Sequence, residues 1–263
     1  MSRSNVVLVF LCSLIALNCQ STKEFQTFEV NYGVVKPADV KNNQMVILEP
    51  ENYTHLQVLS LRNTGAKIIG YVSLGEVNPD RWYFPLLKEH GFLGKNKNWD
   101  SYYINLKDTT SQNLILNKVI PNIIEKGFNG LFFDTVDDVA PYTSRSDLQP
   151  YMVHLIKEVR KRYPQITIIQ NDGLFLLDRT HKYIDGVLVE DVATKYNFKN
   201  KTYNLASKKW YMDKVNSIEK YQDKYHTPFY IVDYAVSKKL IRKVKERLDT
   251  LNTPFFISNI DLN

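Results

Sequence analysis

The sequence predicts an α/β fold of the (β/α)8 TIM-barrel type, lacking a full eighth helix. Three observations carry this expectation. Eight short apolar runs recur between residue 28 and the C-terminus, each bounded by turn residues, as buried strands should be. Segments of helical spacing separate most of them, which is the alternation of a parallel sheet. Nearly every run ends in a carboxylate or another polar residue, the pattern of a barrel whose strand tips share one open mouth. An open doubly wound sheet is the alternative; it usually has fewer strands and often a glycine-rich phosphate loop, which this chain does not have.

In chain order, residues 28–35 read as the first strand, with Tyr32 and Gly33 at its tip. Residues 45–48 are the second and run into Glu49 and Pro50. Residues 53–63 have helical spacing, with Leu56, Leu59 and Leu61 available to the core and Gly65 as the stop. The third strand, 67–74, leads to Gly75 and Glu76. A long aromatic stretch, 80–105, follows and holds Trp82 and Trp99; loops of that length in a compact domain are usually functional. Residues 102–106 suit a short accessory strand, and 111–126 a helix that Pro121 can kink. The fourth strand is the run Leu131, Phe132, Phe133, ending abruptly in Asp134. A helix over 147–163 precedes the fifth strand, 166–170, tipped by Asn171, Asp172 and Gly173. A short helix, 174–183, leads to the sixth, 186–189, tipped by Glu190 and Asp191. Helix 207–225 precedes strand 228–232, which ends in Asp233 and Tyr234. Helix 237–251 precedes the eighth strand, 254–257, tipped by Asn259. Too few residues follow it for a full eighth helix.

Apolar content of 44% and charged content of 24% are ordinary for a globular protein and exclude global disorder. The formal charge is +6, densest at 238–247, where the basic residues alternate with apolar ones at helical spacing. That reads as the solvated face of an amphipathic helix; no nucleic-acid motif accompanies it, and nucleic acid is not expected as a partner. Residues 1–18 read as a signal peptide of lipoprotein type: Arg3, an apolar stretch at 6–16 too short to span a bilayer, then a loose box ending at Cys19. An ordinary secretion signal is the alternative. Cleavage before Cys19 would make it the lipidated first residue, with 19–27 a tether and 28–263 one barrel domain. Cys12 lies inside the leader, so the exported chain would have a single cysteine, no disulfide and no cysteine metal site. Membrane attachment would then be through lipid alone.

The expected strand tips are Tyr32, Glu49, Glu76, Asp134, Asn171, Glu190, Asp233 and Asn259, five of them carboxylates. Five acids converging on one mouth would repel one another and raise some of their pKa values. This suits chemistry that needs one ionised and one protonated carboxyl together, of which glycoside hydrolysis is the leading example. It also creates a negative field that attracts a cationic ligand. Asp134 is the foremost candidate; Asp137 and Asp138 also fit helix capping. Trp82, Trp99, Tyr142, Tyr196 and Tyr234 lie in or beside loops at the mouth, where flat rings stack on sugar faces. No EF-hand spacing and no HExxH pair occurs, the histidines are scattered away from the tips, and no cofactor is expected. There is no Gly-x-Ser-x-Gly elbow. A metal-dependent barrel enzyme and a glycan-binding surface lipoprotein remain the alternatives.

Three motifs sharpen this reading: YVSLGEVNP at 71–79, GFNGLFFDTVDD at 127–138 and IIQNDG at 168–173. They resemble glycoside hydrolase family 114, endo-α-1,4-polygalactosaminidases on a (β/α)8 barrel, and are similar to the hydrolase domains acting on Pel-type polysaccharide. The resemblance spans nearly the whole chain from Tyr32 onward. It implies cleavage of α-1,4-linked galactosamine and N-acetylgalactosamine polymers, cationic where deacetylated. It also implies a retaining mechanism in which Asp134 is the nucleophile and Glu190 the general acid/base. Tyr32, Glu49, Glu76, Asp137, Asn171, Asp233, Tyr234, Trp82 and Tyr142 are the expected substrate-binding residues. The chain departs from the family's frequent Asn-Asn-Gly at Asn171-Asp172-Gly173, which adds a charge near the site.

Overall fold

The computed structural model describes residues 27–41 and 44–263. The expected leader, the expected lipidation site at Cys19 and nearly all of the expected tether lie outside the described residues. Eight strands form one all-parallel sheet: β1 (Phe28–Asn31), β2 (Met45–Leu48), β3 (Lys67–Ser73), β4 (Gly130–Asp134), β5 (Thr167–Asn171), β6 (Gly186–Glu190), β7 (Phe229–Tyr234) and β8 (Phe255–Ser258). They pair in sequence order from β1 to β8, and β1 lies against β8, so the sheet curls into a nearly closed barrel. The seam is bridged beyond the tips, where the Tyr32 N–H donates to the Leu262 carbonyl at 2.6 Å. The segment after β8 folds back over the mouth, and Leu262 is buried against the barrel interior.

Alternation along the strands builds two apolar layers. Val30, Ile47, Ile69, Phe132, Ile169, Leu188 and Val232 fill the barrel. Val46, Ile68, Leu131, Phe133, Ile168, Val187 and Ile231 face outward, against helices that include His55–Arg62, Gln149–Arg162, Lys208–Tyr225 and Lys238–Leu248. The close approach of β4 to β5 requires Gly130: a Cβ there would sit 2.1 Å from the Thr167 carbonyl oxygen.

Several expectations shift. The first strand stops at Asn31, because Gly33 and the turn around it take the chain off the sheet. In the first helix Val58 and Leu61 are buried, whereas Leu56 faces solvent. The helix through Pro121 is broken into Thr109–Leu114, a π-turn at Ile115–Val119 and Ile120–Glu125; the wider turn accommodates a residue with no N–H to give. Two inserts stand on the mouth. A three-stranded sheet (Glu76–Val77, Phe92–Asn96, Ser101–Ile104) follows β3, and a hairpin (Thr194–Asn197, Thr202–Leu205) follows β6.

Candidate active site

The strand tips surround a cavity of about 630 Å³. Ten carboxyl residues and one arginine line it, with no lysine or histidine among the lining residues. Strand parity chooses them. Residues 132, 169 and 188 point into the barrel, so residues 134, 171 and 190, two further along, point into its mouth. Each of these three is followed by a non-glycine residue in the left-handed region: Thr135 (φ 58°), Asp172 (φ 44°) and Asp191 (φ 56°). Such turns cost free energy and persist where surrounding bonds enforce them. At Thr135 the bonds are visible: its hydroxyl takes the Gly75 N–H at 2.7 Å and lies 2.8 Å from the Ser73 hydroxyl. These contacts tie the end of β4 to the end of β3.

Asp134 is held by two donors. The Tyr71 hydroxyl donates to Oδ2 at 2.8 Å and the Asn171 amide to Oδ1 at 2.8 Å. The same Asn171 nitrogen lies 3.2 Å from Glu190 Oε1. One amide therefore bridges the two carboxyl groups, and their facing oxygens are at most 6.0 Å apart. Burial raises the Glu190 carboxyl well above its ordinary range, and the charges of Asp134, Asp172 and Asp191 add to this; a hydrogen bond with Tyr234 opposes it. Burial likewise raises the Tyr32, Tyr71 and Tyr234 hydroxyls well above their ordinary range, helped by the carboxylates they face, which keeps them as neutral donors.

Tyr32, Glu49, Glu76, Asp134, Asp137, Asn171, Glu190 and Tyr234 are brought together around the cavity. Glu49 is already engaged, in a two-pronged ion pair with Arg81 at 2.6 and 2.7 Å. Glu76 is buried and accepts from Asn96 at 2.9 Å and from the Ser101 hydroxyl. Burial pushes the neighbouring Asp138 up to about 9, and the charges of Glu76 and Asp137 contribute.

Three expected substrate contacts lie away from the cavity lining. Asp233 does not face the mouth. Val232 and Tyr234 point inward, so Asp233 between them points outward, fully buried, and accepts the backbone N–H groups of Ala193 and Thr194, each at 2.7 Å. Trp82 lies in a side cleft behind Glu49 and Arg81, packed edge-on to Tyr83. Tyr142 is 87% exposed and stands outside the cavity. Of the loop aromatics, Trp99 lines the cavity and meets Phe198 of the hairpin edge-on at 5.0 Å. Tyr196 packs on Phe198 and Tyr203 instead.

Sequence reasoning passed over Tyr71, Arg81 and Lys214. Tyr71 had a signal: it lies two residues after Ile69, on the inward parity of β3. Arg81 and Lys214 had none, because a loop residue and a helix residue distant in the chain reach the strand tips only through folding.

The model of glycoside-hydrolase family GH114 matches residues 16–263. The chain belongs to this family and is a glycoside hydrolase. No protein of curated function matches it in sequence. Among solved structures it is similar to the glycoside hydrolase domain of PelA from Pseudomonas aeruginosa, at 18% identity and a TM-score of 0.79, covering 90% of this chain and 95% of that one. It is also similar to Aspergillus fumigatus Ega3, solved in complex with galactosamine, at 14% identity and a TM-score of 0.71, covering 93% and 95%. An α-galactosidase from Thermus thermophilus matches more distantly, at 8% identity and a TM-score of 0.57, covering 90% and 58%. These likenesses share the barrel.

Proposed function

We propose that this hydrolase cleaves α-1,4-linked galactosamine and N-acetylgalactosamine polymers internally, with retention, using Asp134 as nucleophile and Glu190 as general acid/base. The observation that carries this reading is the Asn171 amide shared between the two carboxyl groups. If each oxygen takes one N–H of that amide, they lie about 5 Å apart, near the ~5–5.5 Å of retaining enzymes and short of the ~6.5–9.5 Å that inversion needs for its water. Burial raises the Glu190 carboxyl well above its ordinary range, which suits the group that must hold a proton before the bond breaks. Asp134, aimed by two hydrogen bonds, attacks the anomeric carbon. The glycosidic bond breaks as Glu190 gives its proton to the leaving oxygen. Glu190, now a base, takes a proton from water, and the hydroxide displaces Asp134 from the sugar. Asn171 holds both groups in register through both steps.

The acidic cavity favours a polymer bearing ammonium groups. Ega3 bound to galactosamine supports the same sugar here. The leader reading makes 28–263 the catalytic unit of an exported protein, anchored through Cys19 or secreted.

The test is reducing-end release from partially deacetylated α-1,4-galactosaminogalactan by the chain from Gln20 onward. Wild type is compared with Asp134→Asn and Glu190→Gln after circular dichroism shows all three folded. Both variants are expected to lose at least about a thousandfold in kcat. Mutants as active as wild type would overturn the site. NMR of the first product should show the α-anomer; a β-anomer would overturn the retaining mechanism.

A further inference from the structure

Lys214 belongs to the helix Lys208–Tyr225, yet its ammonium reaches the tips of β5 and β6. It donates to the Glu190 carbonyl at 3.0 Å and lies 3.3 Å from Asp172 Oδ1. The other oxygen of Asp172 accepts the Glu190 N–H at 3.4 Å. The backbone of Glu190 is therefore gripped at both ends, and the two grips are paired with each other. One turn earlier on the same helix, the Trp210 indole donates to the Asp191 carbonyl at 2.7 Å. The helix thus anchors the left-handed turn that aims Glu190.

We propose that Lys214 is a positioning residue for Glu190, clamping its peptide and cancelling the charge of Asp172 beside it. The inference rests on the acid/base role given to Glu190 above. Asp134 faces that carboxyl from β4, Asp172 from β5, Asp191 from the adjoining turn, Tyr234 from β7 and Tyr32 from beyond β1. The charges of the three aspartates all oppose loss of its proton. An uncompensated Asp172 charge would raise the Glu190 carboxyl further and make it a weaker proton donor. Burial works against the Lys214 charge, yet Asp172, Asp191 and Glu190 outweigh it and raise the ammonium above its ordinary range. The cation therefore persists through the working range of the acid.

Lys214→Met, Asp172→Asn and the double variant separate this role from simple packing. In Lys214→Met, kcat on the galactosamine polymer should fall about tenfold with KM within about twofold. The alkaline limb of its rate profile, which reports the general acid's proton, should move to higher pH. Adding Asp172→Asn removes the uncompensated charge, so the limb should return and most of kcat recover; Lys214→Arg should retain activity. Equal loss in Lys214→Met and the double variant, with the limb unmoved, would overturn the proposal. A second readout needs no substrate. In 13C-glutamate-labelled protein, with Glu190→Gln for assignment, the Glu190 midpoint should rise in Lys214→Met and fall back in the double variant. An unchanged midpoint would overturn the proposal on its own. An inactive wild type would instead count against the substrate reading, and the titration would still decide the clamp.

Discussion

At the scale of single residues, the site works by giving similar groups different surroundings. Asp134 meets two donors, whereas Glu190 meets burial and three aspartates. Tyr71 is the donor that sequence reading overlooked. Tyr71→Phe keeps the ring against Tyr32 but removes the hydroxyl from Asp134. Its kcat should fall about 10–100-fold with little change in KM, measured on the polymer. A fall confined to KM would assign Tyr71 to substrate binding instead. Asp138 makes a prediction about stability. Its carboxyl is raised from 3.8 to about 9, so between those values the folded protein holds a proton that the unfolded chain has lost. Stability from this group therefore falls as pH rises through that window. Asp138→Asn is neutral throughout, and its Tm advantage over wild type should widen from pH 5 to pH 9, reaching about 2–4 °C by thermal melting. A constant or shrinking difference would count against the raised value.

At the scale of elements, the loop after β6 is the sensitive piece. Asp233 binds two of its backbone N–H groups, and the Thr194 hydroxyl donates to the same carboxylate at 2.5 Å. The side chain that the sequence offered as a sugar contact instead fixes the base of the hairpin. Asp233→Ala strands these donors in a buried site and should destabilise the fold by about 2–4 kcal/mol in urea unfolding. The asparagine variant, which keeps an acceptor, should lose less. A loss of substrate affinity with unchanged stability would restore the original assignment.

At the scale of the molecule, charge is segregated. The chain carries +6 overall, yet its mouth is lined by ten carboxyl residues and one arginine. Attraction of a cationic polymer to that mouth is long-ranged and therefore screened by salt. KM on a deacetylated polymer should rise several-fold between about 0.05 and 0.5 M NaCl, while KM on the fully acetylated polymer stays nearly flat. Equal salt dependence on both would remove electrostatic capture from the account.

The eight strands and their polar tips were legible because burial on both faces of a parallel strand leaves an uninterrupted apolar run, and the run must end where solvent begins. Asp134, Asn171 and Glu190 were legible for the same reason. Strand parity was also written in the sequence: counted strictly from Val232, it turns Asp233 away and admits Tyr71 from Ile69. The hairpin after β6 was not legible, because its turn packs through Phe198 against Trp99, which lies far away in the chain on the insert after β3. Lys214 was least legible. Its sequence context is that of an amphipathic surface helix, and only the packing of that helix on the barrel brings its ammonium to 3.0 Å from the Glu190 carbonyl. Local pattern determined which strands form and what stands at their ends, since burial acts residue by residue. Tertiary structure decided which carboxylates share a donor and which are neutralised, since those energies depend on distances between segments far apart in the chain.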